Sequence, residues 1–238
     1  MTIVKKQPNK GFYVSNNRIS KAKKIIAVLK EELNGNLNNS IILDIGTGNG
    51  EISTYLAHNA KQVISVDISN NRSIDGAYSF LLCDENLPFK EDFFDIVISN
   101  HVIEHVNNNK LHLNEIHRVL KLDGVVYLAT PNRLWPWEVH YRLPLIHYLP
   151  KKWFIKLLKG FNVYHEDLNL LFWSQLKKLI GNTFTFTIYC DHIAREPCKY
   201  HINMSQTMIK LLKLVPLKIY TLATSINPTI IITLRKKN

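Results

Sequence analysis

The chain has 238 residues, 46% of them apolar, which is enough for one core with additions and too little for two full domains. Its formal charge of +11 is uneven: residues 1–30 hold eight basic and no acidic groups, 31–150 eight basic and fifteen acidic, 151–238 fourteen basic and four acidic, so the acidic middle argues against a nucleic-acid-binding core while the flanks suit anionic surroundings. With no run near the ~20 apolar residues that cross a bilayer, no secretory-type leader, and three cysteines (Cys83, Cys190, Cys198) without metal spacing, the expected setting is the cytoplasm, at most peripheral at the inner face of the membrane.

Residues 17–33 read as an amphipathic helix. Five short apolar runs rich in β-branched or aromatic residues then read as strands, at 41–45, 62–66, 79–83, 94–99 and 125–130. Helices are expected between them at about 51–58, 68–76 and 109–121, the last stopped by Asp123-Gly124. This alternation implies a parallel sheet covered by helices, an α/β fold. Beyond Thr130, Pro131, Pro136, Pro144 and Pro150 break up an aromatic-rich stretch, expected to be an insertion or lid. Helices at 151–159 and 172–180, a strand at 183–189, an amphipathic helix at 205–223 kinked by Pro216, and a strand at 229–234 complete the chain. The organisation expected is one domain over 1–238, with an N-terminal helical segment (1–38), a lid and acceptor insertion (131–181) and a helical connection (190–228).

The stretch "ILDIGTGNGEIS", residues 42–53, sets Gly46, Gly48 and Gly50 between a strand and a helix. Glycines there let a ligand approach the backbone closely. A nicotinamide-dinucleotide fingerprint would need a third glycine where Glu51 stands; a bulky acid at that point obstructs helix–strand packing and repels pyrophosphate. Asp44, two residues ahead of the loop, suits a cation for the same electrostatic reason. Asp67 ends the second strand at the distance where an acid takes ribose hydroxyls, and Asp84 ends the third. Three aspartates at the carboxyl ends of three successive strands lie on the rim where open α/β sheets bind ligands. The ligand implied is cationic, adenosine-like and without phosphate.

Four stretches in order, "LDIGTGNG", "VDIS", "CDENLPFKEDFFDIVISNHVIEHV" and "RVLKLDGVVYLATPN", resemble the class I S-adenosylmethionine-dependent methyltransferases, in particular the subgroup of ubiquinone-biosynthesis O-methyltransferases and glycan-modifying relatives. They cover most of residues 40–132. The resemblance implies a Rossmann-like, seven-stranded, mostly parallel sheet with helices on both faces and an antiparallel C-terminal edge hairpin, here 183–189 with 229–234. It implies S-adenosylmethionine as cofactor, with Asp44 and the loop Gly46, Thr47, Gly48, Asn49 and Gly50 on its methionine portion. Asp67 would take the ribose hydroxyls, Ile68 would pack on adenine, and Asp84 with the Glu85 backbone would meet the adenine amino group. Asn100 and His101 would line the methionine side. Tyr13 and Arg18 fall where the family's N-terminal segment often closes over the cofactor.

Methyl transfer from a sulfonium is an in-line displacement, so the enzyme aligns the nucleophile and, for a hydroxyl, removes a proton. "HVIEH" supplies His101, Glu104 and His105 just beyond the fourth strand. His105 is the expected base, with Glu104 and His140 completing the catalytic candidates. Some relatives hold a divalent metal with E-x-x-E-H and a downstream histidine; His101 stands here at the first position, which would favour a transition metal over magnesium. His140 or His165 would finish such a site, but metal binding is not the favoured expectation. The ordinary reading of the pair is a packing or capping role for His105 and a solvated Glu104.

The run "PNRLWPWEVHYRLPLIHYLP", residues 131–150, lies where the family builds acceptor specificity. Trp135, Trp137, Tyr141, His147 and Tyr148 would stack on a sugar ring, a quinone-like phenol or a base, or simply pack the lid. The helix at 205–223 carries Lys210, Lys213 and Lys218 among apolar residues, a pattern that suits a membrane interface as well as core packing. The expected activity is O-methylation of a sugar hydroxyl on a glycan or its lipid-linked precursor. The alternatives are a quinone-precursor or other small-molecule O-methyltransferase, an RNA methyltransferase, and a non-catalytic cofactor-binding module. Expected partners are a small-molecule or glycan acceptor and a peripheral membrane contact rather than nucleic acid; oligomeric state and metal dependence stay open.

Overall fold

The five expected strands pair into one parallel ladder. A computed structural model describes residues 15–35, 37–74, 76–138, 143–160, 168–216 and 227–237. The strands of its main sheet are β1 (Ile41–Ile45), β2 (Gln62–Asp67), β3 (Ser79–Leu82), β4 (Phe94–Asn100), β5 (Leu120–Pro131), β6 (Phe184–Ile188) and β7 (Thr229–Lys236). Their spatial order is β3-β2-β1-β4-β5-β7-β6. β7 runs antiparallel to both neighbours, opposing Leu128 with Ile232 and Phe186 with Leu234. The expected edge hairpin is therefore present, with the chain's last strand lying inside and β6 outside.

Period-two burial sorts strand side chains onto two faces. Ile42, Val63, Ile96, Ile98, Val125 and Tyr127 pack against α1 (Ser15–Glu32) and α2 (Glu51–Ala57). Leu43, Ile64, Val66, Val97, Val126 and Leu128 pack against α3 (Asn109–Val119) and, later in the chain, the helix Trp173–Ile180. α1 contributes Ala22, Ile25, Ile26 and Leu29, a helical stripe of fully or nearly fully buried positions. Helices thus cover both faces, as the fold class requires.

Beyond β5, two-residue strands Trp137–Glu138 and Leu143–Pro144 pair antiparallel, and α4 (Lys151–Gly160) follows a short turn. Ile146, Phe154 and Leu158 form a small satellite core there. α5 (Trp173–Ile180) instead inserts Trp173, Leu176 and Ile180 into the main core. The region expected as one insertion, 131–181, therefore divides between a peripheral part and a core helix.

Four local expectations change. The helix expected at 68–76 is absent among the described residues, because side chains serve the backbone in its place: Asp67 accepts from the Ser69 N–H at 3.1 Å and Asn70 from the Arg72 N–H at 3.4 Å. Such Asx turns compete with helix formation. β5 begins at Leu120, straight out of α3: Phe94 pairs with Leu120 and Ile96 with Val125, so residues 121–124 loop out of register around Asp123-Gly124. The helix expected at 205–223 becomes α7 (Gln206–Leu214), and Val215, just ahead of Pro216, is extended, as residues before proline prefer; residues 217–223 lie outside the described residues. An unexpected short helix, α6 (Cys190–Arg195), fills the start of the 190–228 connection.

Candidate functional site

The rim at the carboxyl ends of β1, β2 and β4 is built around a loop that only glycine allows. Gly46, Gly48 and Gly50 have φ of 72°, 58° and 86°, in the left-handed region where a side chain is strained. Space is short as well: a Cβ on Gly46 would lie 2.6 Å from Val102 Cγ2, and one on Gly50 would lie 2.9 Å from the Ile74 carbonyl oxygen. The loop is pinned to β2, since the Gly46 N–H donates to the Val66 carbonyl at 2.8 Å and the Gly48 N–H to Asp67 Oδ2 at 2.9 Å.

Asp67 is thereby fixed at the end of β2, its two oxygens each accepting one backbone N–H. A carboxylate offers about four acceptor sites, so each oxygen keeps capacity for a hydroxyl. Ile68, next in the chain, is 82% exposed. Asp84 accepts from the Asn86 N–H at 2.8 Å in a turn after β3, and the Glu85 carboxylate accepts from the Asn107 N–H at 2.8 Å, bracing the segment before α3.

Asp44 lies beneath the loop, away from the surface. It is 3% exposed and receives the hydroxyl of Ser53, itself linked to Thr47 and Ser65. Burial pushes its carboxyl up to about 6, against the lowering effect of the Ser53 and Thr47 hydrogen bonds. Glu51, the first residue of α2, is the acid that sequence reasoning passed over: its Oε2 is buried with no hydrogen-bond partner. The available signal was the acid standing where a dinucleotide site holds glycine. Asn49 Oδ1 accepts from Arg18 Nη1 at 2.8 Å, so α1 reaches over the loop. Tyr13 lies outside the described residues.

At the end of β4, Asn100 is half-buried and His101 takes φ of 60°, with its N–H donating to the Ala129 carbonyl. His101, Glu104 and His105 do come together. Glu104 is fully buried; its Oε1 lies 3.2 Å from His101 Nδ1 and 4.0 Å from His105 Nε2, and its Oε2 accepts from Thr130 Oγ1 at 2.9 Å. Burial alone would raise the Glu104 carboxyl, but the His101 hydrogen bond and the two imidazoles together hold it below its usual range. The solvated Glu104 of the sequence reading is thus replaced by a buried one. Behind it, His112 Nε2 lies 3.0 Å from Ser99 Oγ, and burial pushes this histidine down to about 4. Sequence reasoning missed His112 and Thr130, whose apolar neighbours make them look like core positions. Among the described residues no group of three or more His, Cys, Asp or Glu side chains is arranged to hold a metal. His140 and His165 lie outside the described residues.

A cavity of about 250 Å³ lies beyond this cluster, lined by Arg133, Leu149, Phe154, Asn169 and Gln175 among others. Asn169 joins it to the rim, its N–H donating to the Glu104 carbonyl at 2.8 Å.

The sheet order, the glycine loop and the acid at the end of β2 are those of the Rossmann-like fold of class I S-adenosylmethionine-dependent methyltransferases. Residues 43–128 match the family model described as "Methyltransferase domain". The chain is 32% identical over 111 residues to ubiquinone biosynthesis O-methyltransferase of Bartonella tribocorum, covering 41% of this chain and 44% of that one. It is 36% identical over 95 residues to the mitochondrial arginine hydroxylase NDUFAF5 of Homo sapiens, covering 37% and 28%. The matches span less than half the length of these curated relatives. In structure it is similar to phosphoethanolamine N-methyltransferase 2 of Haemonchus contortus, solved with phosphomonomethylethanolamine and S-adenosylhomocysteine: TM-score 0.56 and 16% identity over 96% of this chain and 59% of that one. At that identity the likeness speaks for the fold. The residues present fit the family's cofactor: a bare-backbone cradle, a fixed carboxylate, an exposed Ile68 and an orphaned Glu51 oxygen beside the loop.

Proposed function

We propose that this chain transfers a methyl group from S-adenosylmethionine to a hydroxyl of a small molecule, with His101 as the base. The observation that carries the reading is the His101–Glu104–Thr130 chain at the end of β4, in which a fully buried carboxylate faces one imidazole at 3.2 Å. An ionised Glu104 accepts the Nδ1–H of His101 and fixes that tautomer, which makes Nε2 the basic nitrogen. Glu104 itself is sealed from any acceptor and acts as a positioning residue.

Within the cradle, Asp67 would hold the ribose hydroxyls and Ile68 would lie against the adenine. Glu51 would face the cationic amino group, which meets the electrostatic expectation first placed on Asp44. S-adenosylmethionine held there would supply an electrophilic methyl group, the acceptor oxygen gaining the O–C bond as the C–S bond broke with its electron pair left on sulfur. His101 takes the hydroxyl proton, and Glu104 stabilises the imidazolium that results. An oxygen acceptor agrees with the named activity of the ubiquinone-biosynthesis relative. A small acceptor agrees with the 250 Å³ cavity next to Glu104. This favours a quinone-precursor-like or other small-molecule hydroxyl over the sugar hydroxyl expected from the aromatic run, part of which lies outside the described residues.

The test is incubation with methyl-labelled S-adenosylmethionine and a panel of phenols, catechols and sugar alcohols, followed by recovery of label in the acceptor. The reading expects transfer to a phenolic or catecholic oxygen, lowered about a hundredfold or more by His101→Ala. Transfer that His101→Ala leaves intact would remove His101 as the base, and label confined to sugars would restore the glycan reading.

A further inference from the structure

The peripheral segment beyond β5 carries an exposed surface outside the cofactor cradle, at the edge of the acceptor cavity. On α4 the inward residues are Phe154 and Leu158, buried in the satellite core with Ile146. The outward side is mixed in a particular way. Trp153 is 64% exposed and Leu157, one turn on, 41% exposed, while Lys152, Lys156 and Lys159 are exposed beside them. At 100° per residue the three lysines fall together on one flank of the helix, and Trp153 and Leu157 fall together next to them. Lys156 Nζ lies 5.8 Å from the centre of the Trp153 ring. The turn leading into α4 adds Leu145, Tyr148 and Leu149, each at least 40% exposed. Leu145 is presented there by a left-handed backbone, φ 60°.

A water-facing helix has no reason to present tryptophan and leucine at successive turns. A protein-docking helix has little use for three lysines crowded on one flank. Both features are explained together by a surface that is anionic at its polar layer and apolar just beneath, with tryptophan at the boundary and lysine stems reaching outward. No helix among the described residues is long and apolar enough to cross a membrane, so such a contact would lie flat on the surface.

We propose that residues 145–160 dock this protein onto a bilayer bearing anionic lipid headgroups, with Trp153 and Leu157 entering the headgroup boundary and Lys152, Lys156 and Lys159 meeting the negative charge. This differs from the membrane contact expected at 205–223, since it lies on another helix and touches the site: Leu149 and Phe154 of the same segment line the 250 Å³ cavity. The mouth of that cavity would then open near the lipid surface, where a membrane-dissolved amphiphile can enter. The docking does not depend on the identity of the methyl acceptor.

The experiment is co-sedimentation of the full chain with phosphatidylcholine vesicles, with and without phosphatidylglycerol, at low and high salt. Binding is expected to the mixed vesicles only, weakening with salt. Each Lys→Gln substitution at 152, 156 or 159 should lower the partition coefficient about fivefold. Trp153→Ser with Leu157→Ser should abolish it while leaving the melting temperature and S-adenosylhomocysteine affinity unchanged. Equal sedimentation with and without phosphatidylglycerol, or binding that survives the Trp153/Leu157 double variant, would overturn the proposal. So would failure to bind any vesicle combined with a concentration-dependent dimer that the double variant breaks, which would assign the patch to a second copy of the chain.

Discussion

The Gly48 N–H donates to the Asp67 carboxylate at 2.9 Å, joining the loop after β1 to the end of β2. Asp67 therefore shapes the loop, and the proposed function gives it the ribose hydroxyls as well. Asp67→Ala should weaken S-adenosylhomocysteine binding by roughly 1–3 kcal/mol in calorimetry. An unchanged affinity would take the ribose away from this carboxylate.

Glu51 separates stability from binding. Its buried Oε2 has no hydrogen-bond partner, so the charge burdens the empty protein and gains only when a cation arrives. Glu51→Gln should leave the melting temperature of the empty protein equal or higher, while cofactor affinity falls by roughly 1.5–3 kcal/mol, the range for a hydrogen bond to a charged group. If both quantities fall together, Glu51 is a structural residue of α2.

Gly50 combines a positive φ with a crowded Cβ direction. Tyr78 can swing away from an added methyl group, but the Ile74 carbonyl at 2.9 Å belongs to the backbone. Gly35 has φ of 99° and nothing within 4 Å. Gly50→Ala should thus lower unfolding free energy by more than the ~1–2 kcal/mol of left-handed strain alone, and by more than Gly35→Ala does. Equal losses in urea titrations would mean that the loop yields more easily than its contacts suggest.

Acid response should expose two opposed groups. Burial pushes Asp44 up to about 6 and His112 down to about 4. The folded chain holds the Asp44 proton more tightly than the unfolded chain, so this contribution is complete below about pH 4 and is lost as pH rises through about 6. His112 is neutral when folded; its contribution is complete above about pH 6.5 and is lost as pH falls toward about 4. Between these limits the slopes offset each other. Asp44→Asn should steepen the loss of stability on acidification and add on the order of 2 kcal/mol at mildly alkaline pH. A variant whose pH profile parallels the wild type would show that Asp44 titrates normally.

The parts of the fold legible in the sequence are those where one requirement dominates. The β-branched runs at 41–45, 62–66 and 94–99 lie in strands buried on both faces, the environment of a central parallel strand. The glycine loop was legible because left-handed φ and close packing leave no other residue. The helix expected at 68–76 failed because apolar spacing says nothing about Asp67 and Asn70 turning their side chains onto the following backbone. At the site, the sequence could bring His101, Glu104 and His105 to one place but could not tell which imidazole the carboxylate faces. That depends on the left-handed turn at His101 and on Thr130, 26 residues further along. Asp44 was legible from its position before the loop, but its hydrogen bond from Ser53, on the first turns of α2, was not.

The measurement that bears most directly on the central claim is a crystal structure of the full chain grown with S-adenosylhomocysteine, with a parallel soak in nicotinamide adenine dinucleotide. The account predicts the nucleoside across the Gly46–Gly50 loop, its ribose on Asp67, its adenine against Ile68 and its amino group at Glu51, with no dinucleotide bound. A dinucleotide in that crevice, or the homocysteine compound bound away from Asp67, would contradict it.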